Sequence, residues 1–226
     1  MPNITIDISD TTFVSSAQPD TNLSFYPVIY VGTDTSFQNC IGLLKIALPP
    51  LPVTSVANAI LQLAVIVKSG TDPSTVMVNR ADSSYDIKTV NYNSCPSYTA
   101  TFSQYDVSSS DLYTSIQIDV TDIINDWLNG TYSNNGFVLT VPDSFSVIQF
   151  ATDKIGYAPY FPKLILTYSD TPAQTDLPYG RIYHTGDDTI ATNASIPLAH
   201  NGPMYKIAHQ SGSGTIVVEK EGLYTV

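Results

Sequence analysis

The amino-acid sequence predicts an all-β protein, an antiparallel β-sandwich or jelly roll with one short helix. Apolar residues alternate with polar ones along many short segments, which is the pattern of half-buried strands. Turn-forming residues bound these segments, with 15 Pro and 12 Gly among 226 residues. Of the 20 acidic residues only Glu219 and Glu221 are Glu, and Asp favours turns whereas Glu favours helix interiors. Many short strands at this spacing indicate a sandwich or a barrel.

The first part of the chain carries five predicted strands. Ile4, Ile6 and Ile8 alternate with polar residues at the start. The long apolar segment 57–70 has a β-branched run at 65–67, which favours a strand over a helix. The three prolines within residues 49–55 predict a rigid loop, because proline cannot donate to a sheet. The predicted strands cover residues 4–8, 13–16, 27–32, 40–48 and 57–70.

The middle of the chain adds further strands around an irregular region. Residues 82–113 are rich in Ser, Asn and Tyr, and we expect loops over the sandwich with one or two short strands. On either side, apolar alternation and flanking turn residues predict regular strands. These cover residues 74–81, 114–120, 136–141, 145–152 and 162–168.

One segment has the period of a helix. Its apolar residues fall at i, i+3, i+4, i+7 and i+8, which is one helical face. Thr121 is placed to cap the start, and Gly130 suits the left-handed position after the end. Because two helical turns are not stable alone, we expect this face to plug one end of the core. The alternative is that Trp127, the only Trp, stacks on a sugar. The apolar face comprises Val120, Ile123, Ile124, Trp127 and Leu128.

Composition divides the chain into a sandwich at 1–168, a linker at 169–178 and a β segment at 179–226. The linker holds two Pro among small polar residues. The last 48 residues read as four or five short strands, and a closed sandwich of this type would need roughly twice as many. We therefore expect another subunit to complete this segment by strand pairing. The assembly residues predicted are Ile216, Val218, Leu223, Tyr224 and Val226.

The charge and hydropathy exclude several functions. The net charge of −11 argues against binding nucleic acid, which needs clustered Lys and Arg. No apolar run approaches the roughly 20 residues of a membrane span. The N-terminus has no basic region followed by an apolar one, so no signal peptide is recognised. The composition is that of an extracellular or surface protein, and bacterial spore-surface proteins reach that location without a signal.

The sequence offers little for catalysis. His184, His200 and His209 lack metal-ligand spacing, and no nucleophile or nucleotide-binding motif occurs. We therefore expect no enzyme and no cofactor. Calcium is the one metal left open, at the Asp residues flanking the predicted helix, whose simpler role is to cap it. These are Asp119, Asp122 and Asp126.

The two cysteines, Cys40 and Cys95, are too few for a disulfide scaffold. Two interpretations are open. They are buried free thiols, or they form one long-range bridge, within the chain or between subunits. Metal binding by two isolated cysteines is not expected.

Residues 3–168 resemble the β-sandwich modules called DNRLRE domains. The motifs are DTTFVSSAQPDTN at 10–22, IGLLKIALPPLP at 41–52, IQIDVTDIINDWLNG at 116–130 and PYFPKLILTY at 159–168. The resemblance implies a β-sandwich of the kind that accompanies polysaccharide-acting proteins. The chain departs from the family at Leu44 and Lys45, where the family often has Arg, so a basic ligand-contacting strip is not implied.

Residues 179–226 resemble the first half of the C-terminal domain of exosporium collagen-like proteins, a tumour-necrosis-factor-like jelly roll that trimerises. The motifs are YGRIYHT at 179–185, TIATNASIPLAHNGP at 189–203 and GTIVVEKEGLYTV at 214–226. The resemblance implies a segment that assembles with other subunits.

Two functions follow from these predictions. The first is a structural, self-assembling surface protein, a subunit of a bacterial spore appendage, exosporium or cell-surface filament joined by intersubunit strands. Its partner is itself, together with other surface proteins. The alternative is a non-catalytic carbohydrate-binding or adhesive module, whose partner is a polysaccharide. In that case tyrosines of the irregular region would stack on sugars: Tyr85, Tyr92, Tyr98, Tyr105 and Tyr113.

Overall fold

The fold is all-β and antiparallel, which confirms the predicted class. The structure is a computed structural model that describes residues 3–51, 53–168, 179–183, 185, 192, 194, 198–205 and 207–218. Contacts between Cα atoms divide the chain into two compact units, Met1–Asp170 and Thr171–Val226. The predicted linker at 169–178 lies outside the described residues, so the linker stays a prediction.

The first unit contains twelve described strands and one α-helix. In chain order the strands are β1 (Asn3–Asp7), β2 (Asp10–Ser15), β3 (Val28–Asp34), β4 (Gln38–Lys45), β5 (Asn58–Ser69), β6 (Ser74–Ala81), β7 (Tyr98–Thr99), β8 (Gln104–Val107), β9 (Ser115–Asp119), β10 (Phe137–Thr140), β11 (Val147–Ala151) and β12 (Lys163–Thr167). The helix is α1 (Thr121–Leu128), and 3₁₀ turns cover Ser109–Asp111, Asp153–Ile155 and Ala158–Tyr160. As predicted, the irregular region 82–113 holds only two short strands, β7 and β8.

Strand β5 belongs to both layers of the sandwich. Its first part pairs with β9 and β12, and β12 pairs in turn with β1. From Val65 onward it pairs with β11, with a register shift between Gln149 and Phe150. The second layer then continues through β3, β4, β10 and β6, with β2 on β4 and both β7 and β8 on β6. A strand that changes sheet makes a corner of a sandwich.

Two apolar clusters stabilise the first unit. The main cluster is the core proper and includes the fully buried Phe13, Phe137 and Phe150. A smaller cluster joins Val14, Leu43 and Val138 to residues of the irregular region, chiefly Ile87 and Val90. Because neighbouring side chains of a strand point to opposite faces, Val138 and its neighbour Phe137 serve different clusters. The irregular region thus acts as a lid over the outer face of the second layer.

Helix α1 plugs the core in the way its period predicts. Ile123, Ile124 and Trp127 are buried, and Leu128 packs against the same cluster. The Trp127 ring lies 4.9 Å from the ring of Phe137, centroid to centroid. Since only 8% of Trp127 is exposed, its ring offers no open face to a sugar.

The predicted cap of α1 is wrong. Val120 is the N-cap residue and Thr121 is the first residue of the helix. The backbone N–H of Thr121 donates to Asp119 Oδ1 at 2.9 Å, while the Thr121 hydroxyl accepts from the backbone of Ala59 at 2.9 Å. The capping carboxylate therefore lies two residues before the predicted position. At the other end Gly130 is left-handed, with φ of 78°, as predicted.

The second unit contains four described strands in two antiparallel pairs. Strand β13 (Tyr179–Tyr183) pairs with β14 (His200–Tyr205), and β15 (Ile207–His209) pairs with β16 (Ile216–Val218). Of the predicted assembly residues, Ile216 is half-buried and Val218 pairs with Ile207. Leu223, Tyr224 and Val226 lie outside the described residues. Within the described part of the chain, no helix is long and apolar enough to cross a membrane.

Candidate functional site

The exposed apolar surface of the first unit is aromatic. Among its described residues, no Val, Leu, Ile or Met is exposed, and all large exposed apolar side chains are Phe or Tyr. Aromatic rings present flat apolar faces, and those of Tyr also carry a hydroxyl. The exposed rings are Phe25, Tyr98, Phe102, Tyr113, Tyr132, Phe145 and Tyr157.

Two of these rings line a groove beside α1. It has a volume of about 500 Å³ and adjoins a second depression of about 560 Å³, and the two share Arg80, Thr99 and Tyr132. We call both together the Arg80 groove. Its walls are the end of β6, the chain following β7, the start of α1 and the loop after α1. It includes Arg80, Phe102, Asp119, Asp122, Asp126 and Tyr132.

Arg80 and Tyr132 form the centre of the groove. The guanidinium carbon of Arg80 lies 3.3 Å from the centroid of the Tyr132 ring, and Arg80 Nη1 lies 3.5 Å from Asp126 Oδ2. Arg80 is only 9% exposed, whereas Tyr132 is 45% exposed. The cation therefore covers one side of the tyrosine ring and fixes its orientation. The remainder of the ring faces the groove and the solvent.

The chain after α1 is shaped to bring Tyr132 back over Arg80. Gly130 takes a left-handed conformation that other residues rarely adopt. Asn129 Oδ1 then accepts from the backbone N–H of Thr131 at 2.9 Å. The backbone N–H of Tyr132 donates to the carbonyl oxygen of Asp126 at 3.2 Å. The tyrosine is thus held by the last turn of the helix.

Phe102 also lines the groove, from the chain that follows β7. The residues on either side of it are fixed to β6, because Thr101 Oγ1 donates to the carbonyl oxygen of Val78 at 2.6 Å. The backbone N–H of Val78 donates to the carbonyl oxygen of Ser103 at 2.8 Å. Phe102 itself is 100% exposed. Phe102 thus presents its ring to the groove and to the solvent.

The side of the groove formed by the end of β9 and by α1 is acidic. Asp119, Asp122 and Asp126 all line it, so the structure brings together the three carboxylates that the sequence associates with calcium. Asp119 Oδ1 accepts from Thr121, and Asp126 faces Arg80. In the described parts of the chain, no group of three or more His, Cys, Asp or Glu side chains is arranged to hold a metal ion. Calcium binding stays a prediction.

The five predicted tyrosines have different environments. Tyr85 and Tyr92 pack against the smaller cluster, and Tyr105 packs against the main cluster. The hydroxyl of Tyr85 donates to the carbonyl oxygen of Leu44 at 3.2 Å, and burial raises its pKa well above the ordinary value. Only Tyr98 and Tyr113 are exposed. Tyr85, Tyr92 and Tyr105 therefore pack against the apolar clusters and do not offer an exposed ring to a sugar.

Both cysteines are free thiols in the structure, which is one of the two predicted alternatives. Cys40 is buried and Cys95 is half-buried. Burial raises the pKa of Cys40 to about 12, with Asp34 adding to the effect, and burial raises the pKa of Cys95 to about 11. Both are therefore poor nucleophiles near neutral pH. An intersubunit bridge stays a prediction.

The central residues of the groove are not among the sequence predictions. Arg80, Phe102 and Tyr132 lie far apart in the chain, and no motif joins them. One feature of the sequence does point to Arg80, which is the only Arg among residues 1–180. A single Arg in a predicted strand that also carries Val76, Met77 and Val78 indicates a specific partner, since buried charges are paired.

Comparison with known protein families gives a match over most of the chain. The family model described as carbohydrate-binding module family 96 matches residues 2–168. No curated protein matches the chain. The matched range covers the sandwich and the entire Arg80 groove, and it stops before the second unit. The resemblances to DNRLRE domains and to exosporium collagen-like proteins are not shown by these comparisons.

Proposed function

The chain belongs to carbohydrate-binding module family 96, and we propose that its first unit binds a neutral polysaccharide in the Arg80 groove. Membership indicates a non-catalytic, polysaccharide-binding protein that acts outside the cell or at a surface. The observation that carries the proposal is the half-exposed Tyr132 ring, which Arg80 holds from one side within a groove.

The aromatic walls suit the apolar faces of a sugar chain. A pyranose ring has C–H groups on its two faces and hydroxyls around its edge. Tyr132 and Phe102 present ring surface to the same groove. Stacking on them would bury both the sugar faces and the exposed rings, and this burial of apolar area favours binding.

The polar walls suit the hydroxyl edges. Carboxylates accept hydrogen bonds from hydroxyls, and such charge-assisted bonds are stronger than neutral ones. Asp122 is exposed on the groove wall, and Asp119 keeps further acceptor capacity beside its bond to Thr121. Arg80 supplies N–H donors from the floor. A few convergent polar groups among apolar ones are typical of ligand sites.

The charge of the groove favours a neutral glycan over an acidic one. Its lining contains Asp82, Asp119, Asp122 and Asp126. The cation that lines both of its parts is Arg80, which already faces Asp126. The whole chain carries a net charge of −11. A uronic-acid polymer would place carboxylates against carboxylates, and like charges in apposition reduce affinity.

The test is binding of the full-length protein to neutral and anionic polysaccharides. Affinity electrophoresis in gels containing cellulose derivatives, xylan, mannan or polygalacturonate would measure retardation. We expect retardation by at least one neutral polymer and none by polygalacturonate at low salt. Tyr132→Ala should weaken binding about fivefold to tenfold, because one stacking ring contributes roughly 1–1.4 kcal/mol.

The matched control is Phe145→Ala, which removes another exposed ring (82% exposed) that does not line the groove. This variant should bind as the unaltered protein does. If Tyr132→Ala and Phe145→Ala have the same affinity as the unaltered protein, the groove is not the site. If polygalacturonate is the only polymer bound, the charge argument is wrong.

The self-assembling filament subunit gains no support from the comparisons, because the family match ends before residue 179. The described strands β13–β16 form two two-stranded sheets. This is compatible with intersubunit pairing. Self-association therefore stays a prediction, to be tested by electron microscopy of the protein with and without residues 179–226.

A further inference from the structure

Tyr113 has an unusual backbone conformation for an exposed residue. Its φ is 61°, in the left-handed region where a bulky side chain is strained. Such strain costs of the order of 1–3 kcal/mol. The ring is 66% exposed, so burial of the side chain does not offset this cost. Strained residues of this kind concentrate at binding sites.

The surrounding structure holds Tyr113 in this conformation from both sides. Its backbone N–H donates to the carbonyl oxygen of Val65 at 2.8 Å, at the corner where β5 changes sheet. Its carbonyl oxygen accepts from the hydroxyl of Tyr160 at 3.0 Å. The preceding residue, Leu112, packs against the main core. The chain is therefore anchored at Leu112 and turns Tyr113 outward.

A second exposed tyrosine lies on the other side of Tyr160. The Tyr157 ring lies 4.8 Å from that of Tyr160, edge to face at 79°, and Tyr157 is 54% exposed. Tyr160 therefore joins the backbone of one exposed tyrosine to the ring of another. We call Tyr113, Tyr157 and Tyr160 the tyrosine platform.

The platform and the Arg80 groove are at opposite ends of β9. Tyr113 precedes the strand, whereas Asp119 at its last position lines the groove. Six residues of extended chain span roughly 20 Å. A long polymer could contact both surfaces, whereas one or two sugar units could not.

We propose that the tyrosine platform is a second binding surface for the same neutral polysaccharide. The inference rests on the proposed function, because the polymer it names is the one assigned to the groove. The chemistry of the platform favours a sugar over an apolar partner. Its rings carry hydroxyls, and no Val, Leu, Ile or Met side chain is exposed in the described first unit. Two linked weak sites bind a polymer more tightly than either site alone.

The test uses Tyr113→Asn in the full chain. Asn tolerates the left-handed conformation better than Tyr does, so the melting temperature should stay the same or rise. Affinity for the neutral polymer that the protein binds should fall about tenfold through loss of avidity. Phe145→Ala is again the control and should leave both quantities unchanged. Titration with a short oligosaccharide of that polymer should give two sites in the unaltered protein and one in Tyr113→Asn.

The outcomes separate the two proposals. Unaltered polymer affinity in Tyr113→Asn, together with a loss in Tyr132→Ala, would overturn the platform and keep the groove. A single oligosaccharide site in the unaltered protein would also overturn the platform. Absence of binding to every neutral polymer would overturn the proposed function and the platform together.

Discussion

The two units of this protein differ in what their described residues bury. The first unit buries two apolar clusters, with Phe13, Phe137 and Phe150 at 0% exposure. Among the residues of the second unit whose burial is described, the buried one is polar, namely His209. Its Nδ1 lies 2.6 Å from Asn201 Oδ1, and its Nε2 lies 2.8 Å from the carbonyl oxygen of Ser213.

Buried apolar side chains and a buried polar side chain stabilise a fold in different ways. Apolar burial contributes in proportion to area and tolerates many sequences. A buried polar group contributes only through its specific partners and is costly without them. The contribution of His209 to the second unit therefore depends on its directed hydrogen bonds. Four predictions test this comparison, ordered from the largest expected effect to the smallest.

Removal of the Phe137 ring should have the largest effect. Phe137 contacts Trp127, and its strand pairs with both β4 and β6. Phe137→Ala should lower the free energy of unfolding by about 3–5 kcal/mol, through lost burial and the cavity left behind. Urea denaturation followed by Trp fluorescence measures this. A loss below 1 kcal/mol would show that the main core is not tightly packed at Phe137.

The second-largest effect on stability is expected in the smaller cluster, where the irregular region covers the outer face of the sheet. Ile87 is 7% exposed and packs on the outer face of the sheet, while its carbonyl oxygen accepts from Asn22 Nδ2 at 2.8 Å. Ile87→Ala should lower the free energy of unfolding by about 2 kcal/mol. This is less than for Phe137→Ala, because residues near the surface can move to fill the cavity more easily than residues of the core. Lys88→Ala, an exposed neighbour, is the control. Equal melting temperatures for the two variants would contradict a structural role of the lid.

The third-largest effect on stability is expected at the buried His209. His209→Ala leaves Asn201 Oδ1 and the carbonyl oxygen of Ser213 without the imidazole, which costs about 1 kcal/mol, while Asn201 Nδ2 keeps its bond to the carbonyl oxygen of residue 209. Amide hydrogen exchange should rise within residues 198–218 and stay unchanged at Asn58–Ser69. Gln210→Ala is the control, because Gln210 is an exposed neighbour of His209. If Gln210→Ala raises exchange as much as His209→Ala does, the directed hydrogen bonds of His209 are not what stabilises this segment.

The smallest effect is expected at Asp143, in the turn between β10 and β11. The hydroxyl of Ser146 and the backbone N–H of Phe145 donate to it, and these bonds hold its pKa below the ordinary value. A depressed carboxylate pKa gives stability that is present above the unfolded value of about 3.9 and is lost as the pH falls through the folded value. Asp143→Asn should therefore lower the melting temperature slightly at pH 7. The difference from the unaltered protein should shrink toward pH 3, and a constant difference would contradict this origin.

Much of the first unit follows from sequence alone. Alternating apolar residues place the strands, and the i, i+3, i+4 pattern places α1 with Ile123, Ile124 and Trp127 inward. The left-handed Gly130 follows from the end of that pattern. These features are local, because strand and helix periods depend on residues close together in the chain.

Only the tertiary structure brings the site together. Arg80, Phe102 and Tyr132 come from three separate segments, and their meeting depends on the pairing of β10 with β6 and on the loop after α1. The strain at Tyr113 likewise depends on hydrogen bonds to Val65 and Tyr160, each about 47 residues or more away along the chain. Sequence periodicity determined which side chains are buried. Long-range packing decided which exposed rings lie together, because solvent-facing residues carry no periodic signal of their own.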